Sequence, residues 1–158
     1  MAFSHRPEKN DAASPAPGSL YDRDLHAWAD EQVRLLRAGR FDEIDAENIA
    51  EEISDVGSEQ YDKLESALRV LLTHMLKWDY QPERRSRSWE ATIAVQRNHV
   101  LRQLRKNASL QSRIGEAVDD SYSDARRLAS GETDMDLRHF PEECPYDWDE
   151  ILNRPFER

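Results

Sequence analysis

The chain has a single cysteine, five glycines and no long apolar run among its 158 residues. A lone Cys144 excludes an internal disulfide and suits a reducing compartment. No stretch approaches the roughly 18 consecutive apolar residues of a membrane span. Residues 1–20 lack the apolar segment of a secretory signal. A cytoplasmic chain without membrane partners is the resulting expectation. No segment alternates apolar and polar residues with period two, so strands are not expected. Also missing are a phosphate-cradling glycine loop, a nucleophile elbow, a His-Glu-x-x-His motif and any Cys/His pair with zinc spacing. Cys144 itself follows Glu143 in an acidic stretch, a setting that raises a thiol's pKa rather than lowering it.

What is abundant is charge, at 34% of residues with a net of −10. Its layout is uneven. Residues 21–65 sum to −9, residues 66–113 to +7 and residues 114–158 to −8. A basic middle between acidic flanks is either an internal pairing pattern or a site for an anionic partner.

Residues 1–20 are polar, rich in Ala, Ser and Pro, and read as a disordered leader. One helical domain is expected over residues 21–156. In its first helix Leu25, Trp28, Ala29, Gln32, Leu35 and Leu36 recur at offsets of three and four; Asp22 or Asp24 caps the start and Gly39 the end. Asp45 is the expected cap of a second helix carrying Ile49, Ile53, Val56, Leu64, Leu68, Leu71, Leu72, Met75 and Trp78. Phase is kept across Gly57, which argues for one long helix. Thirty-odd residues would span roughly 50 Å, against a diameter of roughly 35–40 Å for a compact domain, so a bend at Gly57 is expected.

Pro82 ends that helix. A third follows Ser88 with Trp89, Ile93, Gln96, Val100 and Leu104 on one face. A fourth starts near Ser109, carries Leu110, Ile114, Ala117, Val118, Tyr122, Ala125 and Leu128, and closes at Ser130-Gly131. Asp147 and Glu150 have capping-box spacing for a short C-terminal turn. The fold class is therefore all-α: four principal helices in a bundle, plus a strapped-on tail.

The order of these motifs resembles a known pattern. It runs through Trp28, Leu35-Leu36-Arg37-Ala38-Gly39-Arg40-Phe41-Asp42, Asn48-Ile49-Ala50-Glu51-Glu52-Ile53 and Leu71-Leu72-Thr73-His74-Met75-Leu76-Lys77-Trp78. It continues through Gln81-Pro82-Glu83-Arg84, Ser88-Trp89, Glu132-Thr133 and Phe140-Pro141-Glu142-Glu143-Cys144-Pro145. Together they resemble a bacterial family catalogued as domain of unknown function twenty-nine, over nearly all of Tyr21 to Phe156. Met75 departs from a usual leucine, and Asp79 from a neutral or amide residue. The resemblance implies a helical cytoplasmic protein and carries over no activity, cofactor or catalytic residue.

The candidate polar cluster comprises Glu51, Glu52, His74, Lys77, Arg84, Arg85, Arg87 and Arg97, with Trp78 and Trp89 as aromatic neighbours. Cations at a helix start oppose the helix dipole, so an acidic counterpart is expected there. Arginine's planar fork would take Glu47, Glu51 or Glu52 in paired hydrogen bonds, or else a phosphate or acidic peptide. His74 lies on the buried stripe and reads as a core histidine. The Glu-x-x-His repeat of helical metal centres is missing, so no cofactor or metal is expected.

The leading expectation is a non-catalytic interaction module engaging a protein partner or itself. An anion- or metal-dependent enzyme using the Glu/His/Arg cluster is the alternative. A weaker one is nucleic-acid binding by the basic band and its aromatics, which the net charge disfavours.

Overall fold

The computed structural model describes residues 18–157. The expected leader therefore lies outside the described residues as far as position 17. Among them are six α-helices and no strand: α1 Leu20–Arg23, α2 Leu25–Arg37, α3 Ala46–Tyr80, α4 Arg87–Lys106, α5 Ile114–Thr133 and α6 Trp148–Asn153. The all-α reading holds, with four long helices and a short C-terminal one. Ser19 accepts from the Asp22 main chain and starts a single helical turn at Leu20.

Contacts divide the chain into two compact units that meet at Ser54 and Asp55. In the first, Asp24 caps α2 by accepting the Ala27 N–H at 3.0 Å. Gly39 ends it with φ +70, the left-handed conformation a side chain resists. The Arg40 N–H returns to the Leu35 carbonyl and the Gly39 N–H to that of Leu36, closing the helix in a Schellman motif. Asp45 caps α3 as expected. Its carboxylate accepts from the Asn48 main chain, the Asn48 amide and the Trp28 indole, at 3.3, 2.7 and 3.1 Å. Burial pushes its pKa up, but these bonds outweigh burial and hold it below the usual value. Trp28, Gln32, Leu35 and Asn48 are the buried residues here, a small core for a free-standing unit.

α3 is one uninterrupted α-helix across Gly57. Its burial departs from expectation. Ile53 and Val56, placed by the periodicity on the apolar stripe, are 67% and 59% exposed.

In the second unit Tyr61, Leu64, Leu68, Leu71, Leu72, Met75 and Leu76 of α3 form a core with Ile93, Val100 and Leu104 of α4 and Ala117, Tyr122, Ala125 and Ala129 of α5. Alanines on α5 let it approach closely. Two polar ties fix that pairing: Tyr61 donates to Asp120 at 3.0 Å and Ser121 to the Glu65 carbonyl at 3.0 Å. Phe140, Tyr146 and Ile151 bring the C-terminal tail into the same core. Asp147 and Glu150 make the expected capping box at the start of α6.

Three boundaries differ from expectation. Ser86, not Ser88, caps α4: its backbone is extended and its hydroxyl accepts from the Trp89 N–H. Ser109 falls inside a 3-10 segment, Ala108–Arg113, and α5 has no side-chain cap. α5 runs on through Gly131 because Asp134 takes the left-handed conformation instead. The Asp134 and Met135 N–H groups both return to the Ser130 carbonyl, and the Ser130 hydroxyl donates to that of Met135.

Candidate functional site

The end of α3 and the start of α4 bring several of the candidate cations against aromatic rings and main-chain carbonyls of the second unit. Pro82 stands four residues after Trp78 and carries no N–H, so the Trp78 carbonyl loses its helical donor. Arg85 replaces it, donating from Nε at 2.8 Å, with its guanidinium 5.1 Å from the Trp78 ring centre. A cation at a helix C-terminus is electrostatically favoured. Arg85, expected to crowd the entrance of α4, thus serves the exit of α3.

Arg97 does the same elsewhere. Pro155 stands four residues after Ile151, and Arg97 donates to the Ile151 carbonyl at 2.8 Å and to that of Glu150 at 3.0 Å. Its guanidinium stacks on Phe156 at 5.0 Å. Burial, with Arg154 nearby, lowers its pKa. Arg126 reaches the carbonyls of Leu137 and Phe140 beside Pro141, although the Leu137 carbonyl also accepts the Phe140 N–H.

Lys77 is only 7% exposed. It lies 4.6 Å from the Trp89 ring centre and pairs with Glu132 of α5. Its carboxylate partner is therefore Glu132 and not an acid of the early α3. Beside it Asp79 takes two bonds from Arg154, at 2.9 and 2.5 Å, and one from the Tyr146 hydroxyl at 2.8 Å. Burial, then the Asp79 charge, pushes the Tyr146 hydroxyl pKa well up. Trp78 and Phe156 meet edge to face at 5.6 Å. These contacts hold the last residues of the tail onto α3 and α4.

His74 is half-buried, with Nδ1 2.9 Å from the Val70 carbonyl. Burial, then neighbouring Lys77, lowers its pKa, the neutral form donating from Nδ1. Arg84 and Arg87 are exposed, and neither forms an ion pair among the described residues. Glu51 and Glu52 lie in the first unit, where Glu52 accepts from the Tyr21 hydroxyl at 2.8 Å. Among the described residues no group of three or more His, Cys, Asp and Glu side chains is suited to hold a metal ion.

Two open clefts lie in the second unit. One, of about 670 Å³, is bordered by Tyr122, Arg126, Cys144 and Trp148. Its thiol is pushed up in pKa by burial and its tyrosine hydroxyl, also by burial, to about 12. Tyr122 is committed to the Pro141 carbonyl at 2.7 Å. The other, of about 650 Å³ between α3 and α4, is bordered by Lys63, Val70, His99, Arg102 and Lys106. Neither is lined by any residue of the predicted cluster.

Sequence reasoning missed the Asp79–Arg154–Tyr146 tie and the role of Arg126. One signal for such bonds was present: a proline four residues after a helical position announces a carbonyl in need of a donor.

A different surface stands out on α3. From Ala50 to Glu59 every residue but Glu52 is exposed. Ile49, Ile53 and Val56 keep helical phase with the buried Leu64, Leu68 and Leu71. Positions 46–60 also hold Glu47, Glu51, Glu52, Asp55 and Glu59, with no lysine or arginine. At 100° per residue Ile49, Ile53 and Val56 share one side of the helix, and Glu47, Glu51 and Asp55 lie on the opposite one.

The chain belongs to the family described as domain of unknown function DUF29, whose model matches residues 20–157. No curated protein and no solved structure matches it significantly. No helix among the described residues is long and apolar enough to cross a membrane.

Proposed function

We propose that this chain is a non-catalytic helical interaction module of the bacterial cytoplasm, and that it engages a protein through the apolar stripe Ile49–Ile53–Val56. The observation that carries this reading is the exposure of Ile53 and Val56, at 67% and 59%, on a helix whose matching positions further on are buried. Leaving a branched apolar side chain in water forgoes about 1.5–3 kcal/mol of burial, so a helix in phase with a core stripe gains by being covered. Helix-in-groove recognition uses this kind of i, i+4, i+7 array. The segregated charge supports the same reading, because acidic and basic faces steer partners together. A single free Cys144 accords with a reducing compartment.

A photoreactive side chain at position 53 tests it in cells, with position 58 as an exposed polar control. The expected result is protein crosslinks at 53 that exceed those at 58. Equal or no crosslinking at the two positions would sink the reading.

A further inference from the structure

We infer that the cleft between α3 and α4 binds a phosphorylated polyol, a small molecule carrying one phosphate and several hydroxyls. The site lies wholly within the second unit and is independent of the stripe Ile49–Ile53–Val56.

The cleft measures about 650 Å³ and is lined by both helices, a size that suits a small molecule. Its α4 residues are Gln96, His99, Arg102, Gln103 and Lys106. They recur at offsets of three and four and fall within about 120° of one another, on one face. Floor and rim differ in kind. Gln60, Val70, Gln96, His99 and Gln103 are half-buried and Ala67 is buried. Glu59, Asp62, Lys63, Ser66, Arg102 and Lys106 are exposed. Neutral side chains, most of them hydrogen-bonding, thus make the floor, and charged ones most of the rim.

The rim places the phosphate. Of its three cations, Lys63 is matched by Glu59 at 2.8 Å. Arg102 and Lys106 form no ion pair and no side-chain hydrogen bond among the described residues. The C-terminus of α4 offsets about half of one positive charge, so its rim keeps a positive potential. A guanidinium and an ammonium there suit a phosphate, held by charge-assisted hydrogen bonds.

The floor argues for hydroxyls. A glutamine amide offers donors and an acceptor, and a neutral imidazole one of each. Gln60, Gln96 and His99 make no side-chain hydrogen bond among the described residues. A hydroxyl also donates and accepts, so it answers either role. Asp62, the remaining acid of the rim, accepts from a hydroxyl and repels a second phosphate. No Trp, Tyr or Phe is among the described residues lining the cleft, which leaves a nucleobase without an aromatic platform.

Isothermal titration of the full chain tests this with glycerol 3-phosphate, ribose 5-phosphate and glucose 6-phosphate, against inorganic phosphate, glucose and a DNA duplex. At least one of the three polyol phosphates is expected to bind about tenfold or more tightly than inorganic phosphate or glucose. Arg102→Gln with Lys106→Gln, at exposed positions, is expected to weaken it about tenfold or more. Gln96→Leu with Gln103→Leu is expected to weaken the polyol phosphate by a similar factor and to leave inorganic phosphate unchanged. Arg87→Gln, an exposed cation of α4 outside the cleft, is expected to change neither. Circular dichroism verifies the folding of each variant. Polyol phosphates that bind no better than inorganic phosphate would overturn the inference, as would an equal loss from Arg87→Gln. A DNA duplex that outbinds all three and weakens with Arg87→Gln would replace it with a polyanion-binding surface.

Discussion

Arg85 donates through Nε to the main-chain carbonyl of Trp78 at 2.8 Å, and the helical donor to that carbonyl is missing because Pro82 stands four residues on. An unsatisfied buried acceptor costs about 1–3 kcal/mol. Arg85→Met is therefore expected to destabilise the chain by about that much in urea denaturation. Pro82→Ala should relieve part of the loss, because it restores the N–H that Arg85 replaces. The double-mutant cycle carries the test: purely additive losses would show that the two residues do not share one acceptor.

The bond from Arg97 to Ile151 predicts local release. Arg97→Met leaves the end of α6 without its donor, beside Pro155. Amide exchange and proteolysis of residues 148–157 are expected to quicken while the amides of α3 stay protected. An unchanged exchange pattern in the tail would remove Arg97 from this role.

Lys77 and Glu132 predict an asymmetry. The ammonium is buried and the carboxylate is 45% exposed. Glu132→Gln strands a buried cation and is expected to cost about 1–2 kcal/mol, discounted for the carboxylate's exposure. Lys77→Met, which keeps the stem and its packing on Trp89, is expected to cost less. Thermal melts of the two variants decide it, and the reverse order would contradict the assignment.

His74 predicts a pH dependence. Its folded pKa lies below the ordinary 6.5 because burial disfavours the imidazolium. The unfolded chain then binds the proton first, so this group's contribution is fully present above about 6.5 and is lost as pH falls through the folded pKa. His74→Leu is expected to flatten the stability profile over that window without changing its slope above it. A profile identical to wild type would show that His74 does not titrate across folding.

Much of the fold was legible in the residues. Helical periodicity is a local property, readable over a dozen positions, and it located α2, α3, α4 and α5 and the caps Asp24, Asp45 and Asp147. The boundaries at Ser86 and Asp134 were less legible, because adjacent residues compete for the same cap and the backbone settles the choice. Ile53 and Val56 show the limit most plainly. Periodicity places them on the apolar face, but burial depends on which element, or which molecule, comes to cover that face.

The candidate site was legible as a set of residues and not as an arrangement. The clustered cations of the basic middle are plain in the sequence, and so are the prolines that strip donors from Trp78 and Ile151. Which arginine answers each vacant carbonyl is decided by tertiary structure: Arg85 reaches seven residues back, Arg97 fifty-four residues forward. A missing donor follows from covalent chemistry at one position, whereas its replacement follows from packing between segments that adjacency along the chain does not relate.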